Sequence, residues 1–287
     1  MPYLIITCGP TGSGKTTLAE ETAKQLGLEK GSYVVLLIDA FIENNPAYKE
    51  KVDTILAESR CEDGSCLTNP SPDLYKKFSD AYFSTRREAS QACDNKPCET
   101  FFDEKLKESI AQNKHIVFES TCGYYPKWLL SPEFTPENYN TVFSYSLVTL
   151  CNLIDRNKSR AVNQLREYLS DKERKPAPRL PDVSYATMKR NAEQIKEILI
   201  NQTLNCGTDQ EITSECIRRS RIFIFDNNTT MSLLYDSDTN RPAEIVQIIQ
   251  DKTKTNEECT TGGTRRKKVR SRKQGKTVRR RIRNGTH

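Results

Sequence analysis

Residues 9–16 read GPTGSGKT and follow directly on the apolar run Tyr3-Leu4-Ile5-Ile6. Gly9, Gly14, Lys15 and Thr16 fill the pattern G-x-x-x-x-G-K-[ST]. This loop works only between a buried strand and a helix. Glycines let successive backbone N–H groups turn inward, and the helix that follows adds its positive dipole end and its unpaired amides. The context is met, because Leu18, Thr22 and Leu26 fall at four-residue spacing with Ala19 and Ala23 beside them, a helical pattern. Gly9, Pro10, Thr11, Gly12, Ser13 and Gly14, continuing into Lys15, Thr16 and Thr17, are therefore expected to cradle the phosphates of a nucleoside triphosphate. Lys15 should reach the β- and γ-phosphate oxygens, and the Thr16 hydroxyl should ligate Mg²⁺.

Apolar runs at 3–8, 33–38, 115–118, 142–149 and 221–225 read as buried strands. Helical patterns lie at 16–26, 73–92, 100–112, 152–170, 184–200 and 242–251, the last opened by Pro242. Alternation of this kind predicts an α/β P-loop NTPase/kinase fold. Its sheet should have about five mostly parallel strands, with helices on both faces. The domain should span 1–255, with insertions near 59–72 and a lid over 155–183. Within that lid, 171–183 (DKERKPAPRLPDV) is charged and proline-rich, which predicts a mobile loop rather than a packed element.

Ligands in such sheets bind beyond the carboxyl ends of the strands. The second strand is expected to end in Asp39, the third in Glu119 and the fifth in Asp226. An ATPase motor usually needs a pair of acids closing an apolar strand; none stands out unless Glu119 serves. A kinase needs instead a carboxylate that accepts a proton from a substrate hydroxyl, and cations that neutralise the moving phosphoryl group.

GPTGSGKTT, then IDAFIENNPAY, then FEST, an arginine-bearing helix and a later FDN together resemble the zeta-toxin group of P-loop kinases, over most of residues 1–250. The resemblance implies ATP and Mg²⁺ use and a hydroxyl-bearing acceptor, a small molecule or a sugar nucleotide. It implies Asp39 as general base, Glu119 and Thr121 lining the acceptor pocket, and Asp226 and Asn227 at the adenine end. It also implies lid arginines on the γ-phosphate, for which Arg156, Arg160 and Arg179 are the candidates. Arg156 and Arg160 are four residues apart, so both could face one phosphate. Two positions depart from the family's pattern, Ile42 where it has Arg and Asn45 where it has His. Both lie on the acceptor side, so the acceptor does not carry over. The alternatives are a P-loop NTPase that only hydrolyses, and a polynucleotide-kinase-like protein associated with nucleic acid.

Charge separates the chain into two parts. Residues 260–287 hold twelve of the 44 Lys/Arg and no acid, which leaves 32 basic against 38 acidic residues in the rest. With few apolar side chains, the tail over 256–287 is expected to be disordered alone. It could contact nucleic acid non-specifically through phosphates. No stretch is long and apolar enough to span a membrane, and no export signal precedes the first strand, so a cytoplasmic or nuclear location is expected. In that setting the ten cysteines are read chiefly as unbonded thiols, Cys8 and Cys122 packing as small apolar groups beside the site. Zinc or disulfides at Cys61, Cys66, Cys93 and Cys98 are the alternatives.

Overall fold

Leu4, Ile5, Ile6 and Cys8 are all fully buried, because the strand they form, β1 (Tyr3–Cys8), has a parallel neighbour on each side. The structure is a computed structural model that describes residues 1–61, 65–67, 70–91, 100–122, 138–180, 190, 193, 221–240, 244 and 247–248. After β1 come α1 (Lys15–Gln25), β2 (Tyr33–Leu36), α2 (Ile38–Asn44), α3 (Pro46–Ser59), α4 (Pro72–Gln91) and α5 (Thr100–Ala111). The chain continues through β3 (His115–Ser120), β4 (Asn140–Leu147), α6 (Leu150–Ser170), β5 (Arg221–Asp226) and β6 (Ser232–Asp236). Most of the helices expected over 184–200 and 242–251, together with Cys93, Cys98 and the basic tail, lie outside the described residues.

The strands form one sheet in the order β2-β3-β1-β4-β5-β6. All pairs are parallel except β5 with β6. The fold expectation therefore holds, with one further strand. β6 is short and sits at an edge, where Tyr235 is buried and Asp236 pairs with Arg221 at 2.6 Å. Its place depends on that partner rather than on any strong pattern of its own. Alternation on β1 splits the core. Leu4, Ile6 and Cys8 face one cluster with Leu106 of α5, while Ile5 faces Leu18 and Ala19 of α1.

A third apolar cluster joins α2, α3, α4 and α6 through Ile42, Tyr48, Val52, Phe78, Ala81, Tyr82, Ala161 and Leu165. Helices α2 and α3 are not among the elements predicted above. The signal for α3 was present: Asn45 accepts a hydrogen bond from the Ala47 amide as N-cap, Pro46 follows in the first turn, and Tyr48, Val52, Ile55 and Leu56 fall on one face.

The segment 171–180 corrects the expectation of an unpacked loop. Ala177 and Leu180 are buried in the same cluster. The Ala177 amide donates to the Glu43 carbonyl at 2.7 Å, and the Tyr48 hydroxyl to the Pro178 carbonyl at 3.0 Å. Lys49 donates to the Lys172 and Glu173 carbonyls at 2.9 Å each. Proline has fixed φ and no N–H to satisfy, so an extended Pro-Ala-Pro strap can be buried at small entropic cost.

The cysteines are a second correction. Cys8 is bonded to Cys122 and Cys61 to Cys66, and Cys151 is also disulfide-bonded. The thiol reading rested on compartment alone. Adjacent parallel strands β1 and β3 bring Cys8 and Cys122 to a Cα separation of 5.2 Å, well within bonding range. No cluster of three or more His, Cys, Asp or Glu side chains that could hold a metal occurs among the described residues.

Candidate active site

The carbonyls of the loop after β1 are held from outside it. Asn157 of α6 donates to the Thr11 carbonyl at 2.7 Å. The Ser13 carbonyl accepts from Ser146 at 2.7 Å and from Asn227 at 2.8 Å. Gly12 and Gly14 adopt φ of +86° and +79°, and a Cβ on either would lie 2.5 Å from the amide nitrogen of Asn157 or Asn227. No other residue type fits both the left-handed backbone and that approach. The Ser13 hydroxyl is buried with no hydrogen-bond partner among the described residues. A glycine-rich loop braced in this way at a helix N-terminus suits the phosphates of a nucleotide.

Lys15, the first residue of α1, lies across the loop, its Nζ 3.2 Å from the Gly9 carbonyl and 3.5 Å from that of Pro10. Thr16 and Thr17 are exposed in the next positions. The Thr16 hydroxyl donates to Glu119 Oε1 at 3.1 Å. That contact follows from strand order: β3 lies directly beside β1, and Glu119 is in register with Thr7. Donating its proton to Glu119 leaves the Thr16 oxygen lone pairs for a hard cation, so these residues fit Mg²⁺.

Asp39 does not end a strand as expected. β2 stops at Leu36, and Asp39 stands in the first turn of α2. Its carboxylate is half-exposed and held twice, by an ion pair with Arg179 and by a hydrogen bond from the Tyr82 hydroxyl. The Arg179 guanidinium lies over the Tyr82 ring at 4.3 Å. Burial works to raise the Asp39 pKa, but the Arg179 charge, the Tyr82 hydrogen bond and the Lys15 charge outweigh it and hold the carboxyl below its usual range. Lys15 is pushed down by burial, against the carboxylates of Glu119 and Asp39 and with the cations Arg160 and Arg179. Burial pushes Glu119 up, opposed chiefly by Lys15. Lys15, Asp39, Glu119, Arg160 and Arg179, from five separate segments, thus share one electrostatic field.

The two arginines of α6 part company. Arg160 reaches Glu43 Oε1 at 3.5 Å, whereas Arg156 donates to the Asn227 carbonyl at 2.7 Å. Each makes a different contact within the chain. They do line one open cleft of about 530 Å³, with Asp155, Ser159, Asn163 and Gln164. Asp226 Oδ1 accepts from the amide and side chain of Asn228, at 2.9 Å each, and the Asn227 side chain braces the phosphate loop. Thr121 is exposed just past β3. The two departures on the acceptor side have structural uses here, since Ile42 is core and Asn45 caps α3.

Glu43, Tyr82, Asn157 and Gln164 were not singled out in the sequence. Glu43 is almost fully buried, one turn beyond Asp39, where Arg160 and Gln164 each approach it at 3.5 Å. Burial raises its pKa to about 7, against the pull of Arg160. Unfolded, it loses its proton near the ordinary 4.5; folded, it keeps it to about 7. The folded state therefore binds more protons across that interval, and stability falls as pH rises through it. Wild type should lose roughly 2–3 kcal/mol between about pH 5 and pH 8 that Glu43→Gln does not lose. Urea melts of both proteins across this range measure it, and parallel curves would remove Glu43 as the cause.

Residues 4–122 match the sequence model of a family described as an AAA domain. A phosphate loop leaving the middle strand of a parallel sheet, with a carboxylate on the adjacent strand facing the loop's threonine, decides the class. The chain has a P-loop α/β fold. No curated protein matches it. Among solved structures it is similar to one from the PezAT chromosomal toxin–antitoxin system of Streptococcus pneumoniae, at 14% identity over 88% of this chain and 78% of that one, with a TM-score of 0.49. It is also similar to a candidate kinase from Chloroflexus aurantiacus, at 12% identity over 88% and 98%, with a TM-score of 0.36. In this P-loop chain, no helix among the described residues is long and apolar enough to cross a membrane.

Proposed function

We propose that this protein is an ATP- and Mg²⁺-dependent kinase that transfers the γ-phosphoryl group to a hydroxyl of a small-molecule or nucleotide acceptor. One observation carries the reading: Asp39 stands within the field of the loop lysine, beside Arg179 and Tyr82, with its carboxylate half-open to solvent. Phosphoryl transfer asks little covalent chemistry of a protein and much positioning. Lys15 and the loop amides would grip the β- and γ-phosphates. Thr16, oriented by Glu119, would hold Mg²⁺, which when bound neutralises charge on the phosphates. Asp39, ionised at neutral pH, would orient the acceptor hydroxyl and take its proton as the phosphoryl group arrives. A guanidinium has five donors, so Arg179 could touch Asp39 and the phosphoryl oxygens together, with Arg160 approaching from α6. Arg156, Asp226 and Asn227 would lie toward the base of the nucleotide and Thr121 toward the acceptor.

Incubation with γ-labelled ATP, Mg²⁺ and parallel sets of hydroxyl-bearing metabolites, nucleotides and oligonucleotides tests the proposal. Label should move to one class of acceptor. Hydrolysis that no acceptor accelerates would leave an NTPase instead. The tail would add a sequence-independent contact with nucleic-acid phosphates. Removing residues 260–287 should then abolish salt-sensitive retention on DNA, and unchanged retention would refute that role.

A further inference from the structure

We propose that Tyr82 is a positioning residue that sets the base and the lid arginine against each other, its hydroxyl fixing Asp39 and its ring seating Arg179. This rests on the kinase reading of Asp39. Tyr82 stands on α4, an element with no residue in the phosphate site, and it is 3% exposed. Its hydroxyl donates to Asp39 Oδ1, leaving Oδ2 to Arg179. Its ring supports the guanidinium of that same arginine at 4.3 Å. Its edge meets the Tyr48 ring at 6.0 Å and 88°, and the Tyr48 hydroxyl holds the strap at Pro178, next to Arg179. One side chain thus touches the carboxylate, the cation, and the residue that anchors the cation's backbone.

The arrangement answers a geometric need. An aspartate on a short helix and an arginine on a proline strap have no covalent or secondary-structure link between them. Left alone, a carboxylate and a guanidinium collapse into a symmetric fork, which would turn both carboxylate oxygens away from an acceptor. A hydroxyl on one oxygen prevents the fork, and a ring beneath the guanidinium fixes its plane. The result is a carboxylate whose remaining lone pairs keep one orientation.

Variants at position 82 separate the two contacts. Tyr82→Phe keeps the ring and loses the hydroxyl, and Tyr82→Leu loses both. The first readout needs neither ATP nor an acceptor. Aspartate is ¹³C-labelled at its carboxyl, and the Asp39 signal is assigned by its disappearance in Asp39→Asn. The groups that face Asp39 are Arg179 and Tyr82, with Lys15, Glu119, Glu43 and the neutral Tyr48 phenol farther off; Arg86 acts on Tyr82. Phe leaves all of these charges in place, so the Asp39 titration should move up in pH. A 3-fluorotyrosine at position 82, a stronger donor, should move it down; this second substitution serves even if Tyr82→Phe folds poorly.

The second readout is kinetic. Tyr82→Phe should lower kcat about tenfold or more, with KM for ATP unchanged and the acid limb of the pH profile displaced upward. Tyr82→Leu should fall further. A titration of Asp39 that neither substitution moves overturns the proposal, as does a kcat in Tyr82→Phe equal to wild type. Absence of transfer by the wild-type protein overturns the kinase reading instead, and the titration then still reports whether Tyr82 holds Asp39.

Discussion

Asp39→Asn should abolish phosphoryl transfer, a loss of about 10²–10⁴-fold if proton acceptance and hydroxyl orientation both go, while ATP affinity stays nearly unchanged. The physical grounds are local. Asp39 lies on α2, away from the phosphate loop, and acts on Lys15 only through space. An amide keeps the shape of the side chain and can accept a hydrogen bond from Tyr82, but it has no charge for Arg179. Some stability should therefore be lost as well, because that guanidinium is largely buried against Tyr82 and keeps its charge without its paired carboxylate, leaving only the more distant Glu43. Single-turnover transfer, ATP-analogue binding and a thermal melt on one preparation separate the effects. Transfer at the wild-type rate would end the role of Asp39 as base. Collapse of ATP binding would assign it to the nucleotide side.

Lys15→Ala should weaken ATP binding by about 10²-fold or more, the scale for truncating one member of a buried charge constellation, and remove measurable transfer. Lys15 is the cation on which both carboxylates converge. Without it, Glu119 and Asp39 keep their burial and lose their shared counter-charge, and the γ-phosphate would meet two carboxylates with only Arg160 and Arg179 to offset them. Burial already pushes the Lys15 ammonium down, so arrival of a phosphate should raise its pKa and tighten its grip. Isothermal titration with ATP reads the loss directly. Normal affinity in the alanine variant would refute the loop as the phosphate site.

The two residues were recognised by different routes. Lys15 was legible from its own neighbourhood: glycines at fixed offsets, a strand before and a helix after. Asp39 was found for its motif but placed wrongly, on a strand end rather than in a helix, because YVVLLID reads as one apolar run. Arg179 was singled out from its segment, yet that segment was taken for an unpacked loop. Charge and proline count could not reveal that Ala177 and Leu180 had a pocket waiting between α2, α3 and α6. Glu43 and Tyr82 left no local trace. Each belongs to an ordinary amphipathic helix, and only the packing of that helix gives it a partner.

The amino-acid sequence alone was enough for the strand–loop–helix around residues 9–16, the alternating α/β architecture and the places of five of the six strands, since these rest on contacts between near neighbours and on periodicity. Tertiary structure alone decided that Glu119 meets Thr16, that Tyr82 and Arg179 converge on Asp39, and that Cys8 bonds Cys122. Those pairs lie between 43 and 140 residues apart, and no local pattern encodes which distant side chain a carboxylate or thiol will meet. Strand order and helix packing choose the partner, and that choice is a property of the whole fold.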